Sequence, residues 1–249
     1  MAQHAPPARG ARLGRAAGAN GSVSTVSGVV LLLPGASRFS PGPVRPLARA
    51  LARAGGAQGL VAHPVLHGAG VREDEARWAV DEVVRRYGDV PVCLAGYDAG
   101  GRAALRAAGH EAVQAVLALA PRLDGGGADG KGSPESESEP ASEPVKQLAG
   151  RQVLIVHGTD DGRCDPESSF RLAARAKKAN RSTCRFEVHS DGHALREHQR
   201  EVVALGVDFV LGAMFSGRYS RPVTDALAAP PPLGLRMPLA SGFGRSPRR

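Results

Sequence analysis

The chain has 249 residues, enough for one α/β domain with tails, and its 42 % hydrophobic content is that of a globular protein. The net charge of +8 is unevenly placed: residues 1–27 hold three arginines and no acid, and residues 213–249 hold six arginines against one aspartate. That leaves 23 basic and 23 acidic residues over 28–212, a neutral fold with basic tails, so no specific nucleic-acid binding is expected.

Residues 1–27 are rich in Ala, Gly, Arg and Pro and read as a disordered basic tail. Beyond them, short apolar runs occur at Gly28–Leu33, Leu60–Val65, Pro91–Ala95, Ala115–Ala120, Val153–His157 and Cys184–His189. Amphipathic helical patterns separate them, at Val44–Ala54, Glu73–Tyr87, Ala99–Ala108, Glu167–Asn180 and about Leu195–Gly212. Continuous apolar strands alternating with helices predict an α/β domain over 28–212, a mostly parallel sheet of about six strands covered on both faces. Ligands bind such sheets at the carboxyl ends of the strands. Asp124–Pro144 carries no large apolar residue and is expected to be a flexible acidic loop. The Pro-rich basic tail, 213–249, has scattered anchors such as Phe215, Tyr219, Leu235 and Phe243, and either packs on the domain or awaits a partner.

The run Val29–Leu33 is too short for a signal-peptide core, and no stretch is long enough to span a membrane. Cys93, Cys164 and Cys184 show neither metal spacing nor a C-x-x-C pair, and Cys93 reads as a core residue. A reducing cytoplasm is the simplest setting, with no membrane association, no metal and no cofactor expected.

Three segments carry chemistry. Val92–Ala95 leads into Gly96-Tyr97-Asp98-Ala99-Gly100-Gly101 and then a helical run, which is a strand, a sharp turn and a helix. Glycines two residues either side of Asp98 match the G-x-S-x-G nucleophile elbow, with an aspartate where serine would stand. Asp98 is also a good helix N-cap type. Further on, Leu154–His157 runs into Gly158-Thr159-Asp160-Asp161, and Phe186–Val188 leads to Ser190-Asp191-Gly192-His193. Elbow, acid and histidine in that chain order is the order of hydrolase triads. The early turn Pro34-Gly35-Ala36-Ser37 lies where an oxyanion-hole donor would come from, so the backbones of Ala36 and Ala99 are the candidate donors. His63 and His67 are weaker candidates for lining a pocket, whereas His157 and His189 read as structural.

On the motifs LLLPGAS, LAGYDAGGRAAL, VLIVHGTDD and SDGHA, residues 26–212 resemble the α/β-hydrolase superfamily, in particular small bacterial dienelactone-hydrolase and esterase-like members. The resemblance implies an α/β-hydrolase fold, a triad acid at Asp161 with Asp160 as the neighbouring alternative, a base at His193, and a small-molecule substrate. It departs from the family pattern at Tyr97 and Asp98, where a histidine and a serine are usual. An aspartate attacking an ester would form a mixed anhydride, which collapses back because carboxylate leaves better than alkoxide. Attack on saturated carbon gives an alkyl ester that His193 and water could hydrolyse. Superfamily members using that scheme add a tryptophan after the nucleophile, here Ala99, or a tyrosine-bearing cap domain, which is not evident in this chain. Two expectations stand: a hydrolase with an Asp98–Asp161–His193 site, or a catalytically impaired paralogue serving as a binding scaffold.

Overall fold

The computed structural model describes residues 10–18, 26–36, 42–66, 71–123 and 143–245. Among the described residues, nine strands form one sheet: β1 Arg12–Leu13, β2 Ala17–Gly18, β3 Gly28–Leu33, β4 Leu60–Leu66, β5 Val92–Tyr97, β6 Val113–Leu119, β7 Gln152–Gly158, β8 Thr183–Val188 and β9 Met237–Pro238. The six long strands, β3 to β8, are all parallel and run in the order β4-β3-β5-β6-β7-β8. The expected six are therefore the long ones, and the three extra strands have two residues each.

Among the described residues, six α-helices cover the sheet: α1 Val44–Gly55, α2 Glu73–Tyr87, α3 Ala99–Ala107, α4 Pro166–Ala179, α5 Gln199–Leu211 and α6 Arg221–Ala228. Strand β3 is apolar and buried throughout because its two faces meet different helical layers. In β3, Val30 and Leu32 pack with Leu47 and Leu51 of α1 and with Leu205 and Phe209 of α5. Val29, Leu31 and Leu33 pack on the opposite face with Ala79 and Val83 of α2, Ala104 of α3 and Leu172 of α4. Helix starts follow local chemistry. Asp165 caps α4 by accepting from the Glu167 N–H at 2.9 Å, with Pro166 in the first turn. Acids crowd the first turn of α2 and arginines its last, as the helix dipole favours.

The N-terminal end differs from expectation. Residues 10–18, expected to be unstructured, form β1 and β2 antiparallel to β4. The Gly14 N–H donates to the Pro64 carbonyl, and the His63 ring to that of Gly14. Backbone pairing, which needs little side-chain hydrophobicity, orders this polar stretch. At the other end the tail packs on the domain: Val223, Ala226 and Leu235 are fully buried and β9 pairs with β8. The buried Lys177 ammonium holds it there, donating to the carbonyls of Thr183, Ala226 and Leu227. Of the acidic loop, 124–142 lies outside the described residues. Its exit is fixed by Glu143, which is buried and takes hydrogen bonds from Arg102 at 2.5 Å and Arg106 at 2.7 Å. No helix among the described residues is long and apolar enough to cross a membrane.

Candidate active site

The strand order reverses between β3 and β5, because the chain leaves β3 toward β4 on one side and returns to β5 on the other. The crevice at such a switch point is where open α/β sheets bind ligands. Asp98 stands there, between the end of β5 and the start of α3, with φ 55° and ψ −121°. A non-glycine residue at positive φ is held by its surroundings at a cost of about 1–3 kcal/mol. Close packing supplies the constraint. A Cβ on Gly96 would collide with the Gly100 carbonyl, and one on Gly100 with the carbonyl of Leu33. Asp98 occupies the N-cap position of α3 without making a side-chain capping hydrogen bond. Its carboxylate is directed instead into the site.

There it is 1 % exposed and held on several sides. Arg122 donates Nε to Oδ1 at 2.9 Å and Nη2 to Oδ2 at 3.1 Å, a two-pronged clamp. The Ala36 N–H donates to Oδ2 at 3.3 Å. His193 Nε2 approaches Oδ1 at 3.5 Å. Burial alone would raise the Asp98 pKa, but the His193 and Arg122 charges and the Ala99 backbone outweigh it and hold the carboxyl below its usual range. Sequence reasoning missed Arg122. It lies in the turn after β6, and its backbone N–H also donates to the Asp98 carbonyl at 3.1 Å. No spacing rule marks a single arginine ahead of an acidic loop.

The other half of the site is built on the loops after β7 and β8. Asp161 Oδ2 accepts from His193 Nδ1 at 2.7 Å and from His157 Nε2 at 3.0 Å. Its Oδ1 accepts the backbone N–H groups of Arg163 at 2.8 Å and Cys164 at 3.0 Å. Burial pushes this carboxyl up, but the two histidines and two N–H donors prevail and hold it far below the usual carboxylate range. Of the neighbouring pair, Asp161 is the one whose carboxylate meets His193; Asp160 is exposed and accepts from Thr159. His157 was read as structural, yet it is fully buried and shares Asp161 with His193.

His193 packs on Tyr97 with ring centroids 5.2 Å apart. Burial disfavours its charge, but carboxylates on both sides dominate and push its pKa up to about 11. At neutral pH the ring is an imidazolium between two carboxylates. It lies in a turn rather than at a helix start, because Leu195 takes φ 50° and delays α5 to Gln199. The remaining histidines lie elsewhere. His63 is buried between the Gly14 carbonyl and the Tyr87 hydroxyl, His189 is exposed, and His67 and Ser37 are outside the described residues.

Asp98, Cys164 and His193 each present a donor atom, all within 4.8 Å of one another. A cation among them would face the Arg122 guanidinium, which already occupies both Asp98 oxygens, so this set is poorly suited to a metal.

Residues 93–215, just under half of the chain, match the prolyl oligopeptidase family model. No curated protein sequence matches the chain. Among solved structures, it is similar to the esterase Pf2001 of Pyrococcus furiosus, with 18 % identity, a TM-score of 0.59, and 77 % of this chain and 82 % of that one covered. A putative dienelactone hydrolase from Klebsiella pneumoniae gives 19 % identity and a TM-score of 0.53, covering 78 % and 89 %. An α/β serine hydrolase without a lid from Xanthomonas campestris gives 16 % identity and a TM-score of 0.56, covering 78 % and 86 %. The chain has the α/β-hydrolase fold.

Proposed function

We propose that the protein is an α/β-hydrolase-fold scaffold that has lost acyl transfer at its elbow and keeps the site as a closed chain of alternating charges. The carrying observation is the Ala36 N–H, an expected oxyanion donor, directed at Asp98 Oδ2 while Arg122 holds both oxygens of the same carboxylate. A carboxylate so placed sits where the oxyanion of a substrate would go, and its lone pairs are engaged by a permanent cation. The series Arg122–Asp98–His193–Asp161 alternates in sign, and an imidazolium with its pKa near 11 is not a base at neutral pH. Such an arrangement suits binding of a small polar molecule at the strand ends more than turnover.

The test is Asp98→Ser. Removing the carboxylate frees the Ala36 N–H, lets His193 fall back toward a neutral base, and supplies a hydroxyl nucleophile. Hydrolysis of p-nitrophenyl acetate rising well above the wild-type rate supports a lapsed acyl-transfer site. An unchanged rate sinks that reading.

One observation favours a second reading. His193 Nε2 lies 3.5 Å from Asp98 Oδ1, close enough to direct water at an ester formed there. Asp98 would then attack saturated carbon, as in displacement of halide or opening of an epoxide. A His193→Gln variant offered a haloalkane or epoxide would accumulate an alkyl ester on Asp98, seen as a mass increase on the elbow peptide. An unmodified peptide across such a panel removes this reading.

A further inference from the structure

The loop that delivers Asp161 also delivers a thiol to the site. Cys164 is three residues beyond Asp161, is 3 % exposed, and lies immediately ahead of Asp165, the N-cap of the 14-residue helix α4. Its Sγ is within 4.8 Å of both the His193 ring nitrogen and the Asp98 carboxylate. Its backbone N–H donates to Asp161 Oδ1, while His193 Nδ1 is held on Oδ2 of the same carboxylate. The Cys164 backbone and the His193 imidazole are therefore fixed to one anchor.

A second observation points to chemistry at this place. His193 is 7 % exposed and its Nε2 is buried without a hydrogen-bond partner, since the 3.5 Å approach to Asp98 Oδ1 lacks hydrogen-bond geometry. A buried ring nitrogen with no hydrogen-bond partner is costly unless something uses it. The nearby Cys164 thiol can, its Sγ lying within 4.8 Å of a ring nitrogen of His193.

We propose that Cys164 is a peroxide-reactive thiol, served by the His193–Asp161 pair that this fold would otherwise lend to an elbow nucleophile. The Cys164 sulfur attacks one oxygen of a hydroperoxide, the O–O bond breaks, and the thiol proton replaces the one that His193 gives up. The leaving hydroxide takes the proton from His193 Nε2 and departs as water. Sulfur is oxidised to a sulfenic acid and the peroxide is reduced, so the balance needs no other reactant than hydrogen peroxide itself. A small oxidant suits a thiol with so little exposed surface. The proposal goes beyond the elbow reading and stands whether or not Asp98→Ser regains ester hydrolysis.

The chain provides its own controls. Cys93 and Cys184 are fully buried within strands β5 and β8, and burial pushes both thiols up to about 12. The full-length protein is exposed to hydrogen peroxide with dimedone present, and adduct formation at each of the three cysteines is followed by peptide mass spectrometry. The expected result is labelling of Cys164 at least about tenfold faster than of Cys93 or Cys184. His193→Gln, checked for folding by circular dichroism, should slow Cys164 labelling about tenfold and leave the other two unchanged. Equal rates at all three cysteines in the unmodified protein overturn the proposal without recourse to any variant. So does a folded His193→Gln protein that labels Cys164 at the original rate.

Discussion

Two buried aspartates face the same imidazole, and their surroundings are opposite in kind. Asp161 is held by two backbone N–H groups and two histidine rings, donors that orient it toward His193. Asp98 is held by a guanidinium that stays charged at any working pH, together with the Ala36 N–H. The first environment keeps a carboxylate available to a ring that can gain or lose a proton. The second neutralises a carboxylate and immobilises it. A residue type at a catalytic position therefore says less than the counter-charge that meets it.

The largest effect that would break this contrast is chemical. Asp98→Ser should raise p-nitrophenyl acetate hydrolysis about 100-fold, the scale of base-assisted nucleophilic catalysis, and adding Asp161→Asn should erase the gain. Next comes stability. Asp161→Asn alone strands two histidines beside a neutral amide and should cost about 3 kcal/mol in denaturant unfolding. Arg122→Met should cost less, about 1–2 kcal/mol, because its guanidinium is one-third exposed and water can partly replace it. Combining Arg122→Met with Asp98→Asn should recover part of that loss, since no unpaired charge then remains. An additive double variant would show that the clamp is not a coupled pair.

A further expected effect is in pH. His193 has a folded pKa near 11, raised above its unfolded value near 6.5. Its contribution to stability is fully present below about pH 6.5 and fades as pH rises toward 11. Thermal melts should show the wild type losing stability over that window, with the slope reduced in His193→Gln. Parallel slopes in the two proteins would mean that the ring is not charged in the fold.

Much of this was legible in the sequence, for a physical reason. Apolar runs with helical patterns between them place the six long strands to within about two residues, because a sheet buried on both faces tolerates little else. The elbow glycines announce themselves since backbone approaches backbone there, and that constraint is local. Arg122 and His157 were not legible. Arg122 reaches Asp98 from another loop, which no local pattern records, and His157, four residues before Asp161, reads as an ordinary strand-end histidine although its ring shares that carboxylate. The start of α5 was misplaced because Leu195, a good helix former, is turned aside by a positive φ that propensity does not foresee. Residues 10–18 and the tail were read as unstructured or open for lack of apolar density. Main-chain pairing with β4 and β8, and the Lys177 ammonium on three carbonyls, order them instead.

Those short terminal strands have a consequence for how the molecule behaves in company. A sheet edge is a row of unpaired N–H and C=O groups that will accept a strand from any neighbour. Here β1 and β2 lie along β4 at one rim and β9 lies along β8 at the other, so each rim is guarded by a piece of the protein's own chain. Trimming the chain before Gly28 or after Leu211 would unguard a rim, and such a fragment invites edge-to-edge association even with every residue of the site in place.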